Sequence, residues 1–225
     1  MTTLVLVPTA LEAARLAALG GFRGMGRGGS TTGAVASRAA APPNMELVGF
    51  GPVAAAARAA QLFHALRPTR ALLVGIAGSY SAEGGAPLGR AQGFGAVRLD
   101  GVGAGAGAGH LLPSAVGFPQ WQDAEGAVYE ELPLAGTGPV LLCVAAAAAS
   151  PREVAERRAR HPAAVGEDME AFGVALAARL ARVPLYVVRG WSNQAGDRDV
   201  RRWDIQGALA AAHALAQDVL ERLEA

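Results

Sequence analysis

The chain has 225 residues, 52% of them hydrophobic and 17% charged, with a formal net charge of +1. That composition excludes a disordered polar chain, and the near-balanced charge lacks the basic footprint of a nucleic-acid binder. One domain spanning 1–225, large enough to bury one sizeable core, is the default for this length. The lone cysteine, Cys143, cannot form an internal disulfide, and no Cys/His spacing builds a zinc site, so a reducing compartment fits and no metal is expected. The opening MTTLVLVPTALEAARL has no basic region and too short an apolar run for a signal peptide, and no stretch is long and apolar enough to span a bilayer. A cytoplasmic location with no membrane partner is expected.

Along the chain, short apolar runs alternate with helical patterns, which predicts an α/β fold: a mixed, mostly parallel twisted sheet flanked by helices. Thr3 to Val7 reads as a strand and Leu11 to Leu19 as the helix after it. Residues 20 to 40, rich in Gly, Ser and Thr, read as an antiparallel hairpin. Met45 to Gly49 is a strand, and Val53 to Leu66 a helix with Ala55, Ala59, Leu62 and Leu66 on one face, ended by Pro68. Ala71 to Ile76 is continuously apolar, as a buried strand is, and leads into a ligand-facing turn at Ala77-Gly78-Ser79. Gly84 to Gly138 carries no clear element signal, and GVGAGAGAG at 101–109 reads as a mobile loop.

Pro139 to Ala145 is a strand, and Pro151 to Arg160 a helix opened by its proline. Met169, Phe172, Leu176 and Leu180 fall at helical spacing and predict one buried stripe, with Glu167, Asp168 and Glu170 clustered at the helix start. Leu185 to Arg189 is a strand. The last helix is expected from Asp204 to Leu223, with Leu209, Ala212, Ala216, Val219 and Leu223 on one face.

Open α/β sheets bind ligands at the carboxyl ends of their strands, and four features fall there. Glu12 follows the first strand, although a helix-start carboxylate facing solvent would look the same. Gly49-Phe50-Gly51-Pro52-Val53-Ala54 matches the dinucleotide pattern G-x-G-x-x-A, yet Pro52 removes an N–H from the turn and no acid ends the next strand. Glu167, Asp168 and Glu170 are equally readable as acids compensating a helix dipole, and Asn193, Asp197 and Asp199 as turn formers. Trp203 reads as a helix-docking residue or as a ligand wall.

Their joint order resembles the methylthioadenosine/adenosylhomocysteine nucleosidases and their relatives, the purine nucleoside phosphorylases and futalosine hydrolases, over nearly the whole chain. The resemblance is carried by TALEAARL, GFGPVAAA, VGIAGSY, and EDMEAFGVA followed by VRGWSNQAGDRD. The stretch from Glu167 to Trp203 is most similar to the futalosine hydrolases. It implies that Glu12, Glu170 and Asn193 are catalytic, that Phe50, Ala77, Gly78, Met169, Ser192 and Trp203 bind substrate, and that no cofactor takes part. The implied partner is a small purine nucleoside, bound by a homodimer or higher homo-oligomer. Two departures stand out. Residues 145 to 149 are all alanine where nucleosidases place a base-stacking aromatic, leaving Tyr80 and Trp191 as candidates for that role. The glycine/alanine tract at 101–109 replaces a segment that closes the 5′ side of the pocket. Arg198, Arg201 and Arg202, close to Trp203, are candidates to pair with a carboxylate on that side.

Position 193 carries a chemical distinction. The adenine-cleaving members have Asp in the Ser-Asp pair where this chain has Ser192-Asn193. A carboxylate accepts from both N7–H and the 6-amino group of a departing adenine. An amide offers one acceptor and one donor, which matches N7–H and O6 of hypoxanthine. Asn193 therefore points to a 6-oxopurine.

Overall fold

The computed structural model describes residues 2–22, 45–80 and 87–224; most of the hairpin expected over 20–40 lies outside them. The chain opens with β1 (Thr3–Val7), α1 (Ala10–Ala18), β2 (Glu46–Leu47), α2 (Pro52–Leu66) and β3 (Arg70–Ser79). Thr9 caps α1 with a full capping box, its hydroxyl facing the Glu12 N–H while the Glu12 carboxylate accepts from the Thr9 N–H. Pro52 starts α2 at the position where a missing N–H costs nothing. β3 is longer than the apolar run implied: Ala77-Gly78-Ser79 is its last stretch, not a turn.

The segment without a clear signal contains β4 (Ala91–Gly93), β5 (Ala96–Asp100), α3 (Pro113–Val116), β6 (Trp121–Asp123), β7 (Gly126–Val128) and β8 (Glu131–Pro133). Most of these pieces are three or four residues long, too short to show a period. Nor is the tract at 101–109 featureless: Ala104 bridges Leu111, and Arg160 donates to the Gly107 carbonyl at 2.9 Å. Gly103 and Gly105 sit there at φ +140° and +80°, where a side chain would strain the backbone.

The remainder comprises β9 (Val140–Val144), α4 (Pro151–Arg160), β10 (Ala164–Asp168), α5 (Ala171–Ala181), β11 (Leu185–Gln194) and α6 (Ile205–Glu224). Glu167 and Asp168 therefore end a strand, and of the acidic trio only Glu170 stands at a helix start, as the N-cap of α5. The expected stripe on α5 also fails. Met169 precedes the helix and Leu180 is 49% exposed, while Phe172, Val174, Ala175 and Ala178 are buried, because α5 is enclosed on several sides. β11 runs five residues past Arg189.

Nine strands form one mixed sheet in the order β2-β1-β3-β10-β9-β5-β8, with β11 joining β3 to β4. β1/β2, β1/β3, β3/β11, β5/β9 and β9/β10 are parallel; β3/β10, β4/β11 and β5/β8 are antiparallel. Neighbouring residues of a strand serve opposite faces. Leu6 and Leu73 pack with α2 and α5, whereas Val5 and Leu72 pack with Leu16 of α1 and Leu209 of α6. Helix-to-helix approach on the first face requires Gly173, where a β-carbon would collide with the Pro52 carbonyl. A bulge interrupts β11: Trp191 pairs Ala77 but Asn193 pairs Gly78, so Ser192 is the extra residue.

Candidate active site

A cavity of about 250 Å³ opens where β1, β2, β3, β9, β10 and β11 end, and it is lined by Glu12, Phe50, Ala77, Gly78, Met169, Glu170, Ser192, Asn193 and Trp203. These are the nine residues singled out from the sequence. Pro8, Thr9, Leu11, Ile76, Val144, Ala147, Glu167, Asp168 and Arg198 complete the lining. Tyr80 and Trp191, the candidates for base stacking, are not part of it. Trp191 is a core residue packed edge-on to Phe94, and the Tyr80 hydroxyl donates to Glu167 at 2.8 Å. Phe50, 68% exposed at the mouth, and Trp203 are the aromatics that do line the cavity among the described residues.

Glu12 is fixed at both oxygens. Oε2 accepts from the Thr9 N–H at 3.1 Å and the Thr9 hydroxyl at 2.6 Å, and Oε1 accepts from the Ile76 N–H at 3.0 Å. The helix-start reading and the pocket reading of Glu12 thus hold together, since the capping box aims a buried carboxylate at the cavity. Glu170 Oε1 accepts from the Gly51 N–H at 3.1 Å. That bond occupies an amide of the glycine turn with a carboxylate, where a dinucleotide phosphate would need it free. Gly49 and Gly51 adopt φ of +91° and +88° to make the turn.

At the far wall, the bulge at Ser192 breaks strand alternation, so Ser192 and Asn193 both face the cavity. The Ser192 hydroxyl donates to Asn193 Oδ1 at 2.9 Å, and Asn193 Nδ2 donates to the Gln194 carbonyl at 3.0 Å. Each bond uses half the capacity of its atom. One lone pair on Oδ1 and one N–H on Nδ2 remain for a ligand.

Residues 2–224 match the phosphorylase superfamily. The chain belongs to that superfamily. Over 89 residues it is 45% identical to the futalosine hydrolase of Acidothermus cellulolyticus, and over 75 residues 47% identical to that of Streptomyces coelicolor. These stretches cover 36% and 33% of this chain, and 36% and 29% of the relatives' own lengths. Among solved structures, the methylthioadenosine/adenosylhomocysteine nucleosidase of Colwellia psychrerythraea in complex with adenine superposes with a TM-score of 0.72 at 17% identity, covering 99% of this chain and 96% of that one. The futalosine hydrolase of Helicobacter pylori superposes with a TM-score of 0.70 at 14% identity, covering 99% and 98%. Both show the same fold.

Beneath this cavity lies a buried charge cluster that spacing alone did not mark. Arg189, 0% exposed, donates to Asp168 Oδ2 through Nε at 3.1 Å and Nη2 at 2.5 Å, and Nη2 is 3.7 Å from Glu170 Oε2. Its signal in the sequence was a lone arginine in the apolar strand LYVVRGW, a place where a cation must find a partner. Gly75 makes room for it. A β-carbon there would lie 2.5 Å from Arg189 Nη1 and 2.7 Å from Glu12 Oε1. Burial pushes the Glu170 carboxyl up to about 7, helped by the Asp168 charge and opposed by Arg189. Burial likewise raises Glu12, against its bond from Thr9 and the Arg189 charge.

Glu167 is held by a different set: Arg157 Nη1 at 2.6 Å, the Tyr80 hydroxyl, and the Ala148 N–H at 2.6 Å. It ties α4 to the alanine segment whose Ala147 lines the cavity. Among the described residues no group of side chains is placed to hold a metal, and no helix is long and apolar enough to cross a membrane.

Proposed function

We propose that the protein hydrolyses the N-glycosidic bond of a 6-oxopurine nucleoside, with futalosine as substrate and hypoxanthine as the released base, a step of the futalosine route to menaquinone. The observation that carries this reading is Asn193, held with one acceptor and one donor free, across a cavity from two buried carboxylates. The local relationship to two futalosine hydrolases supports it.

Cleavage of C1′–N9 passes through a state with positive charge on the sugar and excess electron density on the base. Glu170 binds the ribose hydroxyls and stabilises that cation. Glu12 orients a water and takes its proton as oxygen attacks C1′. The C1′–N9 electron pair leaves with the base, which gains a proton at N7 from solvent while Asn193 hydrogen-bonds N7–H and O6. Ser192 holds the Asn193 amide. Ala77 and Gly78 offer backbone groups to base or water, and Phe50, Met169 and Trp203 form the apolar walls. Hydrolysis is preferred to phosphorolysis, because a phosphate beside the reacting carbon would face Glu12 and Glu170 with Arg189 held by Asp168, and Arg198, in no ion pair with a described residue, stands at the mouth. The whole chain acts as one nucleosidase domain, in the cytoplasm and without a cofactor, as a homodimer or higher homo-oligomer. Phe50 and Val53, 68% and 82% exposed beside the mouth, are surface for a second copy to cover.

Product analysis with futalosine, inosine and methylthioadenosine, each with and without phosphate, tests the reading. Hypoxanthine and free sugar at a phosphate-independent rate are expected. Ribose 1-phosphate products would make the protein a phosphorylase, and preference for methylthioadenosine would make it an adenine nucleosidase. Light scattering gives the mass of the assembly.

A further inference from the structure

The geometry points to Arg198, lying over the Trp203 ring, as an anion subsite at the cavity mouth that takes a carboxylate on the 5′ substituent of the nucleoside. This rests on the nucleosidase reading above. Four other guanidiniums near the site, among the described residues, are occupied: Arg189 by Asp168, Arg157 by Glu167, Arg201 by Asp199 and Arg202 by Asp197. Arg198 forms no ion pair with any described residue, and it is the one cationic side chain among the described residues that line the cavity. Asp197 and Asp199, its sequence neighbours, are the carboxylates that Arg202 and Arg201 hold.

Its guanidinium carbon lies 5.0 Å from the centre of the Trp203 ring. That ring is itself fixed, since Trp203 Nε1 donates to the Asp197 carbonyl at 3.1 Å. A cation–π contact of this kind holds the guanidinium over the ring and leaves N–H groups for a carboxylate, which a guanidinium can grip with two parallel hydrogen bonds. The charge pattern of the cavity agrees. Glu12, Glu167, Asp168 and Glu170 line its inner part, offset by Arg189 beneath, so an anion is repelled there and drawn to Arg198 at the rim. The substrate therefore enters in one direction, with sugar and base toward the carboxylates and Asn193 and its anionic tail outward. Futalosine, with a benzoate on its 5′ side, has this polarity; inosine has no anion.

Steady-state kinetics on futalosine and inosine with the wild type, Arg198→Ala and Arg198→Lys test the subsite. The alanine variant is expected to lose at least about tenfold in kcat/KM on futalosine relative to inosine, through KM, as a lost charge-assisted bond does. The lysine variant should recover part of that loss, because charge returns without the flat fork. An equal effect on both substrates, or none, overturns the subsite while leaving the nucleosidase reading intact. Calorimetric titration with benzoate alone separates the two claims. Binding by wild type that Arg198→Ala abolishes supports the subsite even if no nucleoside is cleaved, and benzoate binding that survives the substitution overturns it.

Discussion

Asn193 is constrained by what its neighbours leave unused. Ser192 donates to its oxygen and Gln194 accepts from its nitrogen, and a flip of the amide would set Oδ1 against the Gln194 carbonyl and lose that hydrogen bond. Asn193→Asp would set a carboxylate oxygen against the Gln194 carbonyl and remove the donor to O6. An unpaired buried polar group costs about 1 to 3 kcal/mol, so kcat/KM on 6-oxopurine nucleosides should fall at least about tenfold. Adenine nucleosides should lose less, since both carboxylate oxygens accept from N7–H and the 6-amino group. The ratio of kcat/KM for paired 6-oxo and 6-amino nucleosides checks this, and an unchanged ratio would separate Asn193 from base reading. Glu12→Gln and Glu170→Gln are each expected to cut kcat by about a hundredfold to ten-thousandfold with the fold retained, as judged by circular dichroism. Near-normal turnover by either variant would remove that residue from the chemistry.

At the scale of elements, the site depends on how closely two helices approach. Gly173 in α5 lets the first turn of α2 come into contact, and the residue just before that turn, Gly51, supplies the N–H that holds Glu170. Gly173→Ala drives a β-carbon into the Pro52 carbonyl, so α2 must shift. Overpacking of this kind typically costs about 1 to 3 kcal/mol. Chemical denaturation should show that loss, and kcat should fall as well because the Gly51–Glu170 bond is displaced; a stability loss with unchanged kcat would show that the turn is not coupled to the site. The bulge in β11 works at the same scale. A regular strand would send Ser192 and Asn193 to opposite faces, and the one extra residue brings both into the cavity.

For the whole molecule, the site is a cluster of like charges held around one buried cation, and its pH dependence has a definite sign. The proposed mechanism needs Glu170 ionised, and burial lifts its carboxyl to about 7, so on that mechanism kcat/KM should decline as pH falls through that value. Stability runs the other way. A carboxyl raised on folding binds its proton more tightly in the native state than in the unfolded chain, where it titrates near 4.5. Its stabilising contribution is complete below the unfolded value and is lost as pH rises through about 7. Thermal melts of the wild type and Glu170→Gln over pH 5 to 8 should therefore diverge in favour of the variant toward the alkaline end. Parallel curves would show that Glu170 carries no such strain.

By itself the sequence determined the alternation of strands and helices, because burial of a parallel sheet leaves continuous apolar runs, and the family resemblance carried by its motifs marked nine of the residues that line the cavity. Asn193 could be weighed without coordinates, since donor and acceptor counts belong to the side chain. The three-residue strands between Ala91 and Pro133 were not legible, for such short pieces carry no period: β4 takes its pairing from β11 and β8 from β5, while β6 and β7 pair with each other. Nor could spacing show that Glu167 and Asp168 end a strand, or that Tyr80 and Trp191 turn away from the cavity. Only tertiary structure joined Arg189 to Asp168, residues 21 positions apart, and left Arg198 with a ring to lie over and no ion pair to any described carboxylate. Such pairings depend on which strand ends meet, and the register and bulge of β11 set that.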